Sequence, residues 1–296
     1  MLGAIEAGGT KFVCAVGDQN YDVVDLVELP TTTPEETMKH VKDFFKQYDV
    51  SAMGIGSFGP AEIQTQSPNY GCITTTPKIK WRNFNILDSM KETMEVPMVF
   101  QTDVTMAALG EAKFGAAEGL SNCIYITIGT GIGAGAIING QFLEGMSHPE
   151  MGHILVQTHP DDLFAGVCPY HQDCLEGLAS GPAIEKRWGQ KAHLLAENEA
   201  VWELEGYYIA QALMNYILTL SPEKIILGGG VMKQRQLLPI IYKHVKALNK
   251  GYVAFDQLED GITDYIVTPG MEGLSAIKGG FYAAKNMQKI HHLGRG

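Results

Sequence analysis

The sequence predicts an α/β chain built as two related halves, and three observations carry that prediction. A strand, a Gly/Thr turn and a second strand occupy residues 2–17, and the same order returns at residues 122–139. Elsewhere, buried strands run straight into Gly59–Pro60 and Gly228–Gly230, as strand ends do in open α/β sheets. The 296 residues, 45% of them hydrophobic, can bury cores for two medium domains.

Residues 2–17, LGAIEAGGTKFVCAVG, alternate an apolar run, a turn and a Val-rich run, which is strand, tight turn and strand. Gly8 and Gly9 allow backbone N–H groups to approach an anion, and Thr10 and Lys11 add a hydroxyl and a cation; a plain hairpin would read the same way. It is not a Walker A loop, because G-x4-G-K-[ST] is missing and no helix comes directly after it. After a strand at 21–29, Thr33, Pro34, Glu35 and Glu36 satisfy a capping box with proline at the first helical position. Val41, Phe44, Phe45 and Tyr48 then give that helix its packed side. Residues 52–58 are a buried strand that ends at Gly59 and Pro60. The stretch 74–83, TTTPKIKWRN, carries hydroxyls, Trp81, Arg82 and Asn83 without periodicity, and substrate loop and solvated connection fit it equally. A strand at 96–101 ends in Thr102 and Asp103 before a helix at 104–114. Asp103 is either the cap of that helix or a general base facing a cleft.

Residues 115–119 form a connection, which places the domain boundary at 1–117 and 118–296. In the second half, GTGIGAGAII comes after a strand at 122–128. Gly129, Gly131, Gly133 and Gly135 alternate and residues 134–139 look like strand, so a Rossmann G-x-G-x-x-G turn is excluded. One such turn in each half implies a nucleotide held in a cleft between duplicated domains. Ser180, Gly181 and Pro182 open a helix, and 201–220 is a long helix with Trp202, Tyr208, Leu213 and Ile217 on its apolar side. A short strand at 224–227 runs into Gly228, Gly229 and Gly230, which permit close approach of a flat ligand, before a helix near Val231. A strand at 265–267 and a small-residue helix at 274–284 complete the order. The final HHLGRG carries no signal.

The segment 148–176 contains Cys168, His171 and Cys174 at a C-x2-H-x2-C spacing, with His153 upstream. Two thiolates and two imidazoles make a tetrahedral zinc set, closed and therefore structural. His148 and His159 are rival fourth ligands. Glu150 and Glu176 flank the set, and the free nitrogen of a zinc-bound imidazole needs an orienting partner, either a carboxylate or a substrate hydroxyl.

A formal charge of −11 and a pI near 5.3 argue against nucleic-acid and membrane-surface partners. Five cysteines are not a disulfide framework and suit a reducing cytoplasm. No targeting signal or membrane span is visible in the sequence.

Taken together, EAGGTK at 6–11, TIGTGIGAG at 127–135, HPEMGH at 148–153, the C-x2-H-x2-C-L-E of 168–176 and LGGG at 227–230 resemble the ROK family of bacterial sugar kinases, its fructokinase branch most closely. The resemblance spans nearly the whole chain. It implies the duplicated ribonuclease H-like fold of actin and hexokinase, two domains with a central cleft, and a homodimer. It further implies transfer of phosphate from ATP to fructose, with Mg²⁺ on the phosphates and a structural Zn²⁺. Glu6, Gly8, Gly9, Thr10 and Lys11 would then form the first phosphate motif and Thr130, Gly131 and Gly133 the second, with Pro182, Gly228, Gly229 and Gly230 near the nucleotide. Asp103 would be the base. Gly59, Pro60, Trp81, Thr102, Glu150, His153 and Glu176 would join it around the sugar, with His153 also bound to zinc beside Cys168, His171 and Cys174. Two departures stand out: Glu6 replaces the family's usual Asp, and Thr102 and Thr105 stand where many members carry Asn. His171 in place of a cysteine points to fructose rather than glucose. Regulators that share the fold need a helix-turn-helix domain in front, and the first phosphate strand here begins at about residue 3.

Overall fold

In the computed structural model, which describes residues 1–271 and 273–287, the first sheet contains β1 (Leu2–Ala7), β2 (Lys11–Gly17), β3 (Val23–Pro30), β4 (Ala52–Ser57) and β5 (Met98–Thr102). Their order is β3-β2-β1-β4-β5. The first three strands form an antiparallel meander, and β4 and β5 extend it in parallel. The second sheet contains β6 (Cys123–Ile128), β7 (Ile132–Ile138), β8 (Gln141–Phe142), β9 (Lys224–Gly228) and β10 (Ile266–Val267), in the order β10-β9-β6-β7-β8. β9 runs parallel to both β6 and β10. Taken from its other edge, this sheet repeats the strand order of the first, and the fold is the duplicated ribonuclease H-like plan. The final HHLGRG lies outside the described residues.

The helices are α1 (Pro34–Phe45), α2 (Ile86–Lys91), α3 (Asp103–Phe114), α4 (Leu175–Ala179), α5 (Gly181–Trp188), α6 (Glu199–Leu220), α7 (Leu237–Asn249), α8 (Ile262–Tyr265) and α9 (Ser275–Lys285). α1 starts where the capping pattern places it, with Thr33 Oγ1 accepting the Glu36 N–H at 3.3 Å. The helix expected near Val231 is only a 3-10 turn at Val231–Lys233, and α7 begins at Leu237. None of the described helices is long and apolar enough to cross a membrane.

The described residues divide into two compact units, one of 1–121, 135–149, 270–271 and 273–287, the other of 122–134 and 150–269. In the first unit, one sheet face packs Ile5, Phe12, Ile55 and Phe100 with Val41, Phe45 and Trp81. On the other face, Leu2, Ala4, Val13 and Ala15 meet Ile277, Phe281 and Ala284 of α9. Glycines bring α9 in: a Cβ at Gly54 would lie 2.2 Å from the Gly280 carbonyl oxygen, and one at Gly279 would lie 1.9 Å from that of Met106 in α3. Backbone therefore rests directly on backbone, and no side chain fits between.

Glu111 of α3 fixes the far end of this contact. Its buried carboxylate accepts the N–H groups of Ala116 at 2.7 Å and Gly270 at 2.9 Å, and the Ser275 hydroxyl at 2.6 Å. Edge strand β5 is protected by Tyr70, whose hydroxyl donates to the Phe100 carbonyl at 3.1 Å and accepts the Phe100 N–H at 2.8 Å. In the second unit, Trp202, Tyr208, Leu213 and Ile217 of α6 are buried, as their spacing predicts.

Candidate active site

Register brings the first group of residues together. Ala7 pairs with Ser57 and Ser57 with Thr102, so the parallel strands β1, β4 and β5 end level. The segments leaving those ends, the Gly8–Lys11 turn, the Gly59–Pro60 bend and Asp103, are thereby set along one edge of the sheet. In the turn, the Gly8 N–H donates to the Lys11 carbonyl at 3.0 Å, and the Thr31 hydroxyl donates to the Gly8 carbonyl at 2.8 Å. The turn is thus a hairpin as well as a candidate phosphate loop. Pro60, after a cis peptide bond, accepts the Thr74 N–H at 2.8 Å.

Thr102, not Asp103, caps α3. Its hydroxyl oxygen accepts the Thr105 N–H at 3.2 Å and its proton goes to the Thr105 hydroxyl at 2.8 Å. Asp103 becomes the first helical residue, with Oδ1 accepting the Val104 N–H at 2.9 Å. Burial pushes its carboxyl up to about 6. Glu6, on the neighbouring strand, is pushed up to about 7 by burial and then by the charge of Asp103, against the opposing pull of Lys11. The Lys11 ammonium is itself paired with Glu28.

Trp81 corrects an expectation. It is 1% exposed, its indole N–H donates to the Thr32 carbonyl at 3.0 Å, and it packs on Phe12, Phe58 and Phe84. A sugar has no face of this ring to meet, so Trp81 anchors its loop and leaves the substrate group.

The second group lies wholly within the second unit. β6 and β9 are in register at Thr127 and Gly228, so the 129–131 turn and the Gly228–Gly230 run leave the sheet together. Gly229 sits at φ 92°, where a Cβ would strike Ile128 at 2.4 Å, so the close approach requires glycine. Gly181, opening α5 just before Pro182, donates its N–H to the Gly129 carbonyl at 2.7 Å. Thr130, Gly131, Gly133, Pro182 and Gly228–Gly230 are thus one neighbourhood. Glu176 joins it, with Oε2 accepting the Ile132 N–H at 2.9 Å. Gly152 seats the His153 turn against the same strand, since a Cβ there would lie 1.7 Å from the Ile132 carbonyl oxygen.

The ligand atoms of His153, Cys168, His171 and Cys174 all lie within 4.8 Å of one another. His153 Nδ1 is 3.5 Å from Cys174 Sγ and 3.7 Å from Cys168 Sγ, and His171 Nδ1 is 3.8 Å from Cys168 Sγ. A tetrahedral zinc with bonds of about 2.3 Å to sulfur and about 2.0 Å to nitrogen has sulfur–nitrogen edges of about 3.5 Å, so the donors present fit that ion. The knuckle is tight: Cys168 and Gln172 exchange backbone hydrogen bonds, and the His171 N–H points at Cys168 Sγ at 3.5 Å. His153 turns its other nitrogen towards Glu176 Oε1 at 3.9 Å. That spacing exceeds a hydrogen bond and admits a bridging hydroxyl or water. Glu150 opens the 3-10 turn that carries His153.

Neither rival ligand joins this set. His159 lies beside Asp161 and meets Tyr207 edge to face, and His148 is buried with Nδ1 3.5 Å from the Thr102 hydroxyl. The contact of His148 with the cap of the Asp103 helix is not legible in the sequence, because it joins residues far apart in the chain. The link from Glu176 to Ile132 is hidden for the same reason.

Comparison with known proteins gives a consistent picture. Residues 2–277 match the ROK family. A Bacillus subtilis (strain 168) protein provisionally named fructokinase is 57% identical over 94% of this chain and 93% of its own length. A fructokinase of Pediococcus pentosaceus is 47% identical over 96% of this chain and 98% of its own. Among solved structures, the ROK hexokinase of Thermus thermophilus superposes with a TM-score of 0.80 at 22% identity, covering 97% of this chain and 99% of that one.

Proposed function

The chain belongs to the ROK family, and from that premise we propose that it is an ATP-dependent fructokinase converting D-fructose to fructose 6-phosphate. The observation that carries the reading is Asp103: held in the first turn of α3, relieved of capping by Thr102 and raised to about 6 by burial, it is a carboxylate tuned for proton abstraction near neutral pH. The reaction is an in-line displacement. Asp103 takes the proton of the sugar hydroxyl as its oxygen bonds to the γ-phosphorus of ATP, the bond from that phosphorus to the bridging oxygen breaks, and ADP leaves.

Within the first unit, Gly8–Lys11 would approach the phosphates and Gly59 and Pro60 would receive the sugar with Asp103. Thr102, expected at the sugar, is buried with its hydroxyl spent on Thr105, and serves by holding the start of the helix that carries Asp103. Within the second, Thr130, Gly131 and Gly133 supply backbone to the phosphates, and Pro182 and Gly228–Gly230 to the nucleoside. Glu150, His153 and Glu176 would hold sugar hydroxyls. Glu6 is the carboxylate placed for a magnesium ion, whose other ligands are ordinarily water and phosphate oxygens. When bound, that ion offsets charge on the transferred group. His153, Cys168, His171 and Cys174 would hold zinc and so fix the segment bearing Glu150 and Glu176. We take the protein to act as a cytoplasmic homodimer.

The test is an ADP-release assay with ATP and Mg²⁺ over fructose, mannose, glucose and N-acetylmannosamine. Fructose should give the highest kcat/KM; ADP release no faster than the sugar-free blank with all four would defeat the proposal. The acid limb of the same kinetics is also set. Asp103 works deprotonated, and its pKa is raised to about 6, so activity present above that pH is lost as the pH falls through it. kcat/KM should approach a decline of ~10-fold per pH unit below the limb, and a profile flat down to pH 5 would exclude Asp103 as the base.

A further inference from the structure

We propose that Lys78 is a phosphate-binding residue of this site, its ammonium contacting the transferred phosphoryl group at the Gly8–Lys11 turn. The assignment rests on the kinase reading and adds to it a residue outside the known motifs.

The loop carrying Lys78 is fixed. Trp81 plugs it into the core, the Trp81 N–H donates to the Lys78 carbonyl at 2.8 Å, and Arg82 Nε donates to the Thr76 carbonyl at 2.7 Å. The Lys78 N–H in turn donates to the buried Thr76 hydroxyl at 3.3 Å. From this base the Lys78 side chain runs across the phosphate turn. A Cβ built at Gly9 would lie 2.9 Å from Lys78 Cε, 3.9 Å from Cδ and 4.0 Å from Nζ. Glycine at position 9 thus leaves room for a lysine crossing above it, in addition to allowing an anion to approach the backbone.

The two lysines at the turn differ in what they hold. Lys11 is paired with Glu28, so its charge is partly neutralised. Among the described residues, the Lys78 ammonium has no ion-pair or hydrogen-bond partner. An ammonium that is unpaired, tethered by a rigid loop and laid over a glycine turn suits an anionic group. The phosphoryl group in flight spreads charge over three oxygens, and a lysine serves it as a point charge. An ordinary solvated lysine would not need its methylenes packed on Gly9.

The experiment compares wild type with Lys78→Met, Lys78→Arg, Gly9→Ala and the Gly9→Ala/Lys78→Met double variant. Lys78 is exposed and methionine keeps its apolar stem, so the fold should persist, as circular dichroism will show. Lys78→Met should lower kcat by at least ~100-fold, the scale of losing one charge-stabilising donor. The fructose KM should stay within about threefold, and ATP affinity should weaken more than ADP affinity. Lys78→Arg should recover at least about a tenth of the rate, because the charge returns. If Gly9→Ala acts by displacing Lys78, the double variant should be no slower than Lys78→Met alone. Turnover within about threefold of wild type in Lys78→Met, or equal weakening of ATP and ADP, would overturn the assignment. A wild type inactive on every hexose would instead defeat the kinase reading itself.

Discussion

Replacing Asp103 by Asn is expected to lower kcat at least ~100-fold while fructose binding, measured by calorimetry without ATP, changes little. The substitution keeps size and hydrogen-bonding oxygen, so the bond from the Val104 N–H survives and α3, capped by Thr102 rather than by residue 103, stays in place. Only the ability to accept a proton is lost. If Asp103 served only to hold the Val104 N–H, Asn would do so almost as well, and turnover would be near normal. The variant also bears on Glu6. With the charge at 103 gone, one of the causes that raises the Glu6 carboxyl disappears, so its pKa should fall from about 7 towards its ordinary value. Carbon-13 NMR of labelled glutamate can read that shift independently of turnover.

The second large effect is expected at the proposed zinc site of His153, Cys168, His171 and Cys174. Cys174→Ser should take zinc from about one per chain to below detection by mass spectrometry of the metal, because a neutral hydroxyl does not replace a thiolate in a closed tetrahedral set. Burial and the adjacent Cys168 hold the Cys174 thiol up at about 11, so the site needs a cation before its sulfur ionises. Without the ion His153 would be free to rotate away from Glu176, whose other oxygen stays on the Ile132 N–H, and the pair that would grip a sugar hydroxyl between them would be broken. Fructose affinity should fall ~10-fold or more, the usual scale when a ligand's orienting partners are disturbed. A verified zinc-free protein that binds and phosphorylates fructose normally would separate the metal from the sugar site.

Much of this is legible in the sequence, for identifiable reasons. The capping pattern of Thr33 and Glu36, the glycine turns at 8–9 and 129–131, and the spacing of Cys168, His171 and Cys174 are local signals, carried by residues close in the chain. Trp81 misleads because an aromatic residue in an aperiodic loop looks available, and its partners Phe12, Phe58 and the Thr32 carbonyl come from other parts of the chain. The helix expected at Val231 gives way to a single 3-10 turn, with nothing in the local sequence to mark α7 as starting later at Leu237. Lys78 cannot be singled out from sequence at all. The role proposed for it depends on the missing Cβ of Gly9, at position 9 against position 78, and only the fold brings the two together.

The glycine contacts that seat α9 against β4 and α3 carry a consequence for biosynthesis. The sheet face of Ala4, Val13 and Ala15 is completed by Ile277, Phe281 and Ala284, so a ribosome must translate past residue 284 before the first unit can close. Until then the nascent polypeptide exposes an apolar surface that a chaperone would have to shield. Such a distant closing partner also argues for slow folding, since a long loop must close before the glycine-to-carbonyl contacts reward it.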